Sequence, residues 1–155
     1  MASYTAFQPY DYVWISRLFV PVEEVMEEVE NRCRNFSDTM IGMHIRRTDN
    51  LASIRQSPIE LFYQKLDEEI KEDDKVAIYL ATDSEEVKRE MKERYGDRIF
   101  CSGKKGRPWI FGGNKEGITD MYTLARTQKI YGSFQSSFSD MAAQIGGTPL
   151  EILKL

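Results

Sequence analysis

Met40-Ile41-Gly42-Met43-His44-Ile45 is a short, mostly apolar run, and Arg46-Arg47-Thr48-Asp49-Asn50 follows it with no spacer. A run of this length bounded by polar residues reads as a strand buried on both faces, the kind found inside parallel sheets. Downstream, Ser57-Pro58-Ile59-Glu60 reads as an N-cap, a first-turn proline and the glutamate of a capping box, opening an amphipathic helix to about Lys71. Val76-Ala77-Ile78-Tyr79-Leu80 repeats the buried-strand pattern. Asp83 and Glu86 then cap a helix that carries Val87, Met91 and Tyr95 on one face and stops at Gly96. Arg98 to Cys101 reads as a third strand. A glycine-rich loop (Gly103, Gly106, Gly112, Gly113, Gly117) leads to a helix from about Thr119 to Gln128, and Lys129 to Gly132 is a fourth strand. A helix from Phe138 to Ile145, closed by Gly146, and a fifth strand from Pro149 to Leu153 complete the series.

Upstream, Pro21 opens a helix in which Val22, Val25, Met26, Val29, Cys33 and Phe36 form an apolar stripe, while Glu23, Glu24, Glu27, Glu28 and Glu30 take the solvated face. The first twenty residues are aromatic-rich without a period and read as an irregular arm. Residues 1–39 are therefore expected to be an arm and a helix packing on a domain formed by 40–155. Strands alternating with helices predict an α/β fold, a parallel sheet of about five strands with helices on both faces. In such sheets ligands sit beyond the carboxyl ends of the strands.

Composition narrows the function. The chain has 155 residues, 41% hydrophobic and 30% charged, an ordinary globular balance. Lys plus Arg number 21 against 25 Asp plus Glu, a net charge of −4, which argues against nucleic acid as a partner, so any bound anion needs a local basic cluster. Two cysteines, Cys33 and Cys101, exclude a disulfide scaffold and a cysteine-rich zinc site, and the single histidine, His44, excludes a paired-histidine metal site. The apolar stretch from Tyr12 to Val22 is broken by Arg17 and is too short to span a bilayer. With no targeting segment legible, the expectation is a cytoplasmic protein with free thiols and no membrane partner. Homo-oligomer formation stays open.

Three clusters fall at predicted strand ends. In the first, Arg46 and Arg47 suit a pyrophosphate, since guanidinium binds phosphate oxygens bidentately and keeps its charge; the other reading is an internal ion pair with Asp49 that locks the loop. His44 fits a satisfied, half-buried histidine as well as a ligand contact. The second cluster, Ala81-Thr82-Asp83-Ser84, places Asp83 as an N-cap or as a polar contact to a ligand. The third joins Asp120, expected in the first turn of its helix, to Gly132-Ser133-Phe134-Gln135-Ser136-Ser137. An aspartate there complements the helix dipole and is also able to accept from the N1–H and exocyclic amine of guanine. The serines lead into a helix N-terminus, where phosphate oxygens are well received, or they are turn and cap residues. No G-x-x-x-x-G-K-[ST], no G-x-G-x-x-G after a strand, no G-x-S-x-G and no D-x-D is present, so a bound nucleotide sugar would have to be neutralised by arginine.

His44-Ile45-Arg46-Arg47-Thr48-Asp49 resembles the H-x-R-R-T-D motif of the GDP-fucose-dependent fucosyltransferases that make alpha-1,6 linkages. Ala81-Thr82-Asp83 is similar to their second motif, and Ile118 through Ala142 to their third, an Asp-bearing helix, a strand, then Phe and a serine run. Some members hold glutamine at the position of Ser137. The resemblance implies one half of a GT-B architecture, a Rossmann-like domain at 40–155 that binds the GDP-sugar. It implies that His44 and Asp120 contact guanine, that Arg46 is the catalytic residue on the β-phosphate, and that Ser136 and Ser137 bind phosphate. It also implies that Arg47 and Asp49 support the loop and that Asp83 lines the site. Catalysis in the family is inverting and uses no metal or other cofactor. A complete enzyme of this kind needs about twice this chain, so the glycan acceptor is expected to bind on another domain or partner. The competing expectation is a non-catalytic nucleotide-binding or interaction module that keeps the fold.

Overall fold

A computed structural model of the protein describes residues 20–102 and 115–155. The expected N-terminal arm up to 19 and most of the expected glycine-rich loop lie outside the described residues. In chain order the elements are α1 (Glu23–Cys33), β1 (Met40–Ile45), α2 (Leu51–Gln56), α3 (Ile59–Glu72), β2 (Ala77–Thr82), α4 (Glu85–Tyr95), a 3-10 turn at Gly96–Arg98, β3 (Ile99–Cys101), α5 (Lys115–Leu124), β4 (Ile130–Ser133), α6 (Ser137–Gly146) and β5 (Leu150–Leu153).

The five strands form one sheet in the order β3-β2-β1-β4-β5, and every pairing is parallel. β1 is central, and all six of its residues are buried, which is why its sequence reads as an unbroken apolar run. Ile41, Met43 and Ile45 pack with Ile78, Leu80, Phe62 and Leu66 on the face covered by α3 and α4. Met40, Tyr79 and Ile130 pack with Leu124, Phe138 and Ala142 on the face covered by α5 and α6. Gly42 makes that second packing close: a Cβ there would stand 2.6 Å from Thr127 Oγ1 and 2.9 Å from Leu124 Cδ2. The α/β parallel sheet with helices on both faces is thus as expected.

Several local expectations are corrected. α2 is an additional helix, started by the Asn50 side chain, which accepts from the Ser53 N–H at 3.0 Å. Ser57 does not cap α3; its hydroxyl donates to the Leu153 carbonyl and accepts the Phe134 N–H at 2.8 Å, and Pro58 occupies the cap position. At α4 the cap is Ser84, which accepts the Val87 N–H at 3.3 Å, so the expected cap Asp83 is left for other work. α5 already runs from Lys115 and ends at Leu124, because the Thr127 hydroxyl and N–H both turn back to the Leu124 carbonyl, at 2.7 and 3.0 Å. Asp120 therefore lies beyond the first turn. Gly147 rather than Gly146 closes α6, adopting φ 62°, a left-handed conformation that a side chain would strain. Val22 leaves the apolar stripe of α1: it is the helix cap and stays 66% exposed, whereas Val25 and Val29 are buried.

Candidate functional site

The chain leaves β1 toward β2 and β3 on one side, then crosses back to place β4 on the other side of β1. That reversal opens a crevice at the carboxyl ends of β1 and β4, where His44 stands beside Gly132. The Arg46 N–H donates to Ser133 Oγ at 3.1 Å, and Ser133 Oγ donates to the His44 carbonyl at 3.3 Å. The two strand ends are thereby held together by a hydroxyl, and the loops after them face one another.

His44 is fully buried on the α5/α6 side, its ring 4.5 Å from that of Phe138. Nδ1 meets Ser136 Oγ at 3.3 Å, while Nε2, also buried, has no hydrogen-bond partner among the described residues. An unmade bond of this kind costs about 1–3 kcal/mol. Burial pushes the imidazole down to about 3, so the ring is neutral at pH 7. Ser136 sits at the N-cap position of α6, yet its hydroxyl goes to His44 and no side chain caps the helix. Ser137 is exposed and its hydroxyl makes no hydrogen bond among the described residues. Gln135, just before them, has φ 51°, a left-handed conformation that turns the chain sharply into α6, and its carbonyl accepts from Asn50 Nδ2 at 3.2 Å.

The neighbouring arginines have opposite fates. Arg46 grips the Asp49 carboxylate through Nε at 2.8 Å and Nη2 at 2.7 Å, near the surface, where the Asp49 side chain is 60% exposed. Arg47 turns inward: Nη2 donates to the Ser57 carbonyl at 2.8 Å and the guanidinium lies over the Phe62 ring at 5.9 Å. Burial lowers its pKa, against the pull of Asp83 and Glu60. The Asp83 side chain is buried beneath the same loop and accepts the N–H groups of Arg47 and Thr48 at 2.8 and 3.1 Å and the Thr48 hydroxyl at 2.7 Å. Its partners are thus loop groups, with Arg46 Nε a further 3.4 Å contact.

Asp120 belongs to a separate cluster. Its Oδ1 accepts from the Tyr79 hydroxyl at 2.7 Å and from Arg32 Nη1 at 2.8 Å. Arg32 also donates to Tyr79, Glu116 and Glu28, at 2.9, 2.6 and 3.1 Å. Burial pushes the Asp120 carboxyl up to about 6, with the Tyr79 hydroxyl and the Arg32 charge opposing. The expected residues therefore fall into two groups: His44, Arg46, Arg47, Asp49, Asp83 and Ser136 around the crevice, with Ser137 at its rim, and Asp120 in the polar cluster of α1, β2 and α5. Sequence reasoning missed Arg32 and Tyr79, read Ser57 only as a helix cap, and placed Ser133 in the third cluster without its bond to the Arg46 N–H. Arg32 had a readable signal, since it continues the buried line of Val25 and Val29 at helical spacing with a cation. Among the described residues no group of three or more His, Cys, Asp or Glu is placed to hold a metal ion, and no helix is long and apolar enough to cross a membrane.

Comparisons with known proteins agree with this architecture. POFUT1 in complex with GDP superposes with a TM-score of 0.65 at 11% identity, over 94% of this chain and 51% of that one. NodZ from Bradyrhizobium, a fucosyltransferase, superposes with a TM-score of 0.54 at 22% identity, over 78% of this chain and 41% of that one. At these identities the likeness is one of fold. The chain spans about half the length of these solved relatives or less. No curated protein sequence matches it. The model for the alpha-(1,6)-fucosyltransferase N- and catalytic domains matches residues 11–107, more than half of the sequence and the part that carries Arg46, Arg47 and Asp83, and the chain accordingly belongs to the alpha-(1,6)-fucosyltransferase family.

Proposed function

We propose that this chain is the donor-binding half of an inverting, metal-independent glycosyltransferase that transfers fucose from GDP-fucose to a glycan acceptor held by a second half or partner. The observation that carries the reading is the convergence of Arg46, a buried histidine nitrogen without a partner and an α6 N-terminus without a side-chain cap, all at the strand-order reversal. One solved relative of this fold is described as NodZ soaked with GDP-fucose and another as POFUT1 in complex with GDP-fucose. Arg46 exchanges its exposed partner Asp49 for the β-phosphate, and giving up that pair costs little because exposed ion pairs contribute only about 0–1 kcal/mol, while its 3.4 Å contact to Asp83 is retained. His44 and Asp120 read the base, Ser136 and Ser137 receive phosphate, and Arg47, Asp49 and Asp83 shape the loop. As fucose departs, charge grows on the β-phosphate, and a preplaced guanidinium stabilises that charge more in the transition state than in the ground state. The proposed setting is the reducing cytoplasm, in keeping with the free thiols of Cys33 and Cys101.

Three or four charge-assisted hydrogen bonds at about 1.5–3 kcal/mol each, less an association cost of at least about 4 kcal/mol, leave at most about 8 kcal/mol, so GDP affinity is micromolar at the tight end and millimolar with about 4 kcal/mol remaining. Calorimetric titration with GDP, GMP and ADP tests the reading: GDP is expected to bind ahead of GMP through Arg46, and ahead of ADP through Asp120. Absence of GDP binding at millimolar concentration overturns it. That outcome would favour the second reading, an interaction module in which Arg46 permanently braces Asp49 as Arg47 braces Ser57.

A further inference from the structure

α1 stands outside the strand–helix alternation, yet it buries Val25 and Val29 and delivers Arg32 between α5 and the sheet. The guanidinium there is surrounded by three carboxylates, Glu28, Glu116 and Asp120, and by the Tyr79 hydroxyl. Packing alone does not call for such a group, since a buried ion pair is often no more stabilising than an apolar replacement. Its geometry is directional. Arg32 donates to Tyr79, Tyr79 donates to Asp120, and Arg32 donates to Asp120 as well, so both donors converge on one oxygen. Oδ2 of Asp120 receives no hydrogen bond from the described residues.

We propose that Arg32 and Tyr79 are positioning residues for nucleobase selection: they fix Oδ1 of Asp120 so that the carboxylate presents Oδ2 to the N1–H and amine of guanine. The inference rests on the donor-binding reading given above and goes beyond it, because it assigns base selectivity to residues that do not touch the nucleotide. A carboxylate free to rotate would accept from the amine of adenine as well as from guanine. One whose orientation is locked offers its acceptor at a single place. The two donors also favour the ionised form that accepting requires. The charged or titratable groups around Asp120 are Arg32, Tyr79, Glu116 and, from α4, Lys88. Because burial holds Asp120 near 6, GDP affinity should fall as the pH drops through that value.

The test titrates the whole chain and its Tyr79→Phe and Arg32→Lys variants with GDP, ADP and inorganic pyrophosphate, alongside urea denaturation. Tyr79→Phe removes one oxygen from a position 2% exposed and keeps the ring. It should lower the GDP-over-ADP affinity ratio by about 10- to 100-fold, the scale of one hydrogen bond to a charged group, and leave pyrophosphate affinity within twofold. The midpoint of the GDP affinity–pH profile should move upward, because a donor to the carboxylate is lost. Arg32→Lys should act in the same direction. A GDP-over-ADP ratio and a pH midpoint unchanged in Tyr79→Phe would overturn the inference alone. So would an equal loss of GDP, ADP and pyrophosphate binding, the mark of a merely structural role. Absence of any GDP-over-ADP preference in the unmodified chain would overturn the reading of Asp120 and this inference with it.

Discussion

The two faces of the sheet are built on different principles. On the α3/α4 side the buried contacts run through Phe62, Leu66, Ile78, Leu80 and Met91, with the Arg47 guanidinium lying over the Phe62 ring at the edge of that cluster. On the α5/α6 side the same strands turn His44 and Tyr79 inward to meet Ser136, Asp120 and Arg32. The first face gains its stability from apolar area, which is forgiving of direction. The second spends part of its interior on directional polar groups, one of which, His44 Nε2, has no partner among the described residues. The difference teaches how the two interiors are specified: one is held mainly by apolar area, while the other gathers directional polar groups, among them His44, beside the carboxyl ends of β1 and β4.

The comparison breaks most visibly by truncation. Leu66→Ala, at a fully buried position of the apolar face, should destabilise the fold by about 2–5 kcal/mol in urea denaturation, with GDP affinity of the folded fraction unchanged. If GDP binding were lost at urea concentrations where the variant is still folded, the two faces would not be separable.

Acid should attack the opposite face. His44 has its pKa lowered from 6.5 to about 3, so the unfolded chain binds the extra proton first and stability falls as pH drops from about 6.5 toward 3. The contribution of His44 is about 1.4 kcal/mol per pH unit within that window; between about pH 6 and 3.8 Asp120 opposes it, because its raised carboxyl makes the folded chain take up that proton first, so the His44 contribution is read as the difference between the unmodified chain and His44→Gln. His44→Gln removes this contribution, and a stability–pH curve unaltered by it would show that the face is not set by the imidazole.

Arg46→Ala sharpens the contrast between holding the fold and holding a ligand. GDP affinity should fall by roughly 10- to 100-fold, matching a lost charged hydrogen bond, while stability falls by only about 1–2 kcal/mol, because the Asp49 pair is exposed and the buried Asp83 carboxylate loses a 3.4 Å contact but keeps its loop N–H donors. A stability loss of several kcal/mol with GDP affinity intact would make Arg46 a brace like Arg47. The smallest effect is expected back on the apolar side. Ser84→Ala removes the α4 cap and should cost about 1 kcal/mol, measured by thermal or urea unfolding, with no change in nucleotide binding.

The fold was legible because β1 and β2 are buried on both faces and so carry unbroken apolar runs, and because the helices between them keep one apolar side. α2 escaped notice for the converse reason: Leu51-Ala52-Ser53-Ile54-Arg55-Gln56 buries only Ser53 and has no apolar period, so its existence depends on the Asn50 cap. The crevice residues were legible as a charge cluster at a strand end, but their partners were not. Asp83 and Ser84 are equally good caps by composition, and only the loop N–H groups above Asp83 decide that Ser84 caps the helix. Ser57 likewise bears every local mark of a cap, and distant partners claim its hydroxyl instead. Arg32, 88 residues before Asp120, pairs across a distance that no local pattern encodes.

Ser57 has a mechanical consequence. One hydroxyl ties the end of β5 to the turn after β4, and the same residue's carbonyl anchors Arg47 of the loop after β1. The Leu155 N–H adds a further tie to the Gln56 carbonyl at 2.8 Å. The two rims of the crevice are therefore stapled to a common post on the α2–α3 junction, and neither is able to shift outward without breaking a bond that also restrains the other.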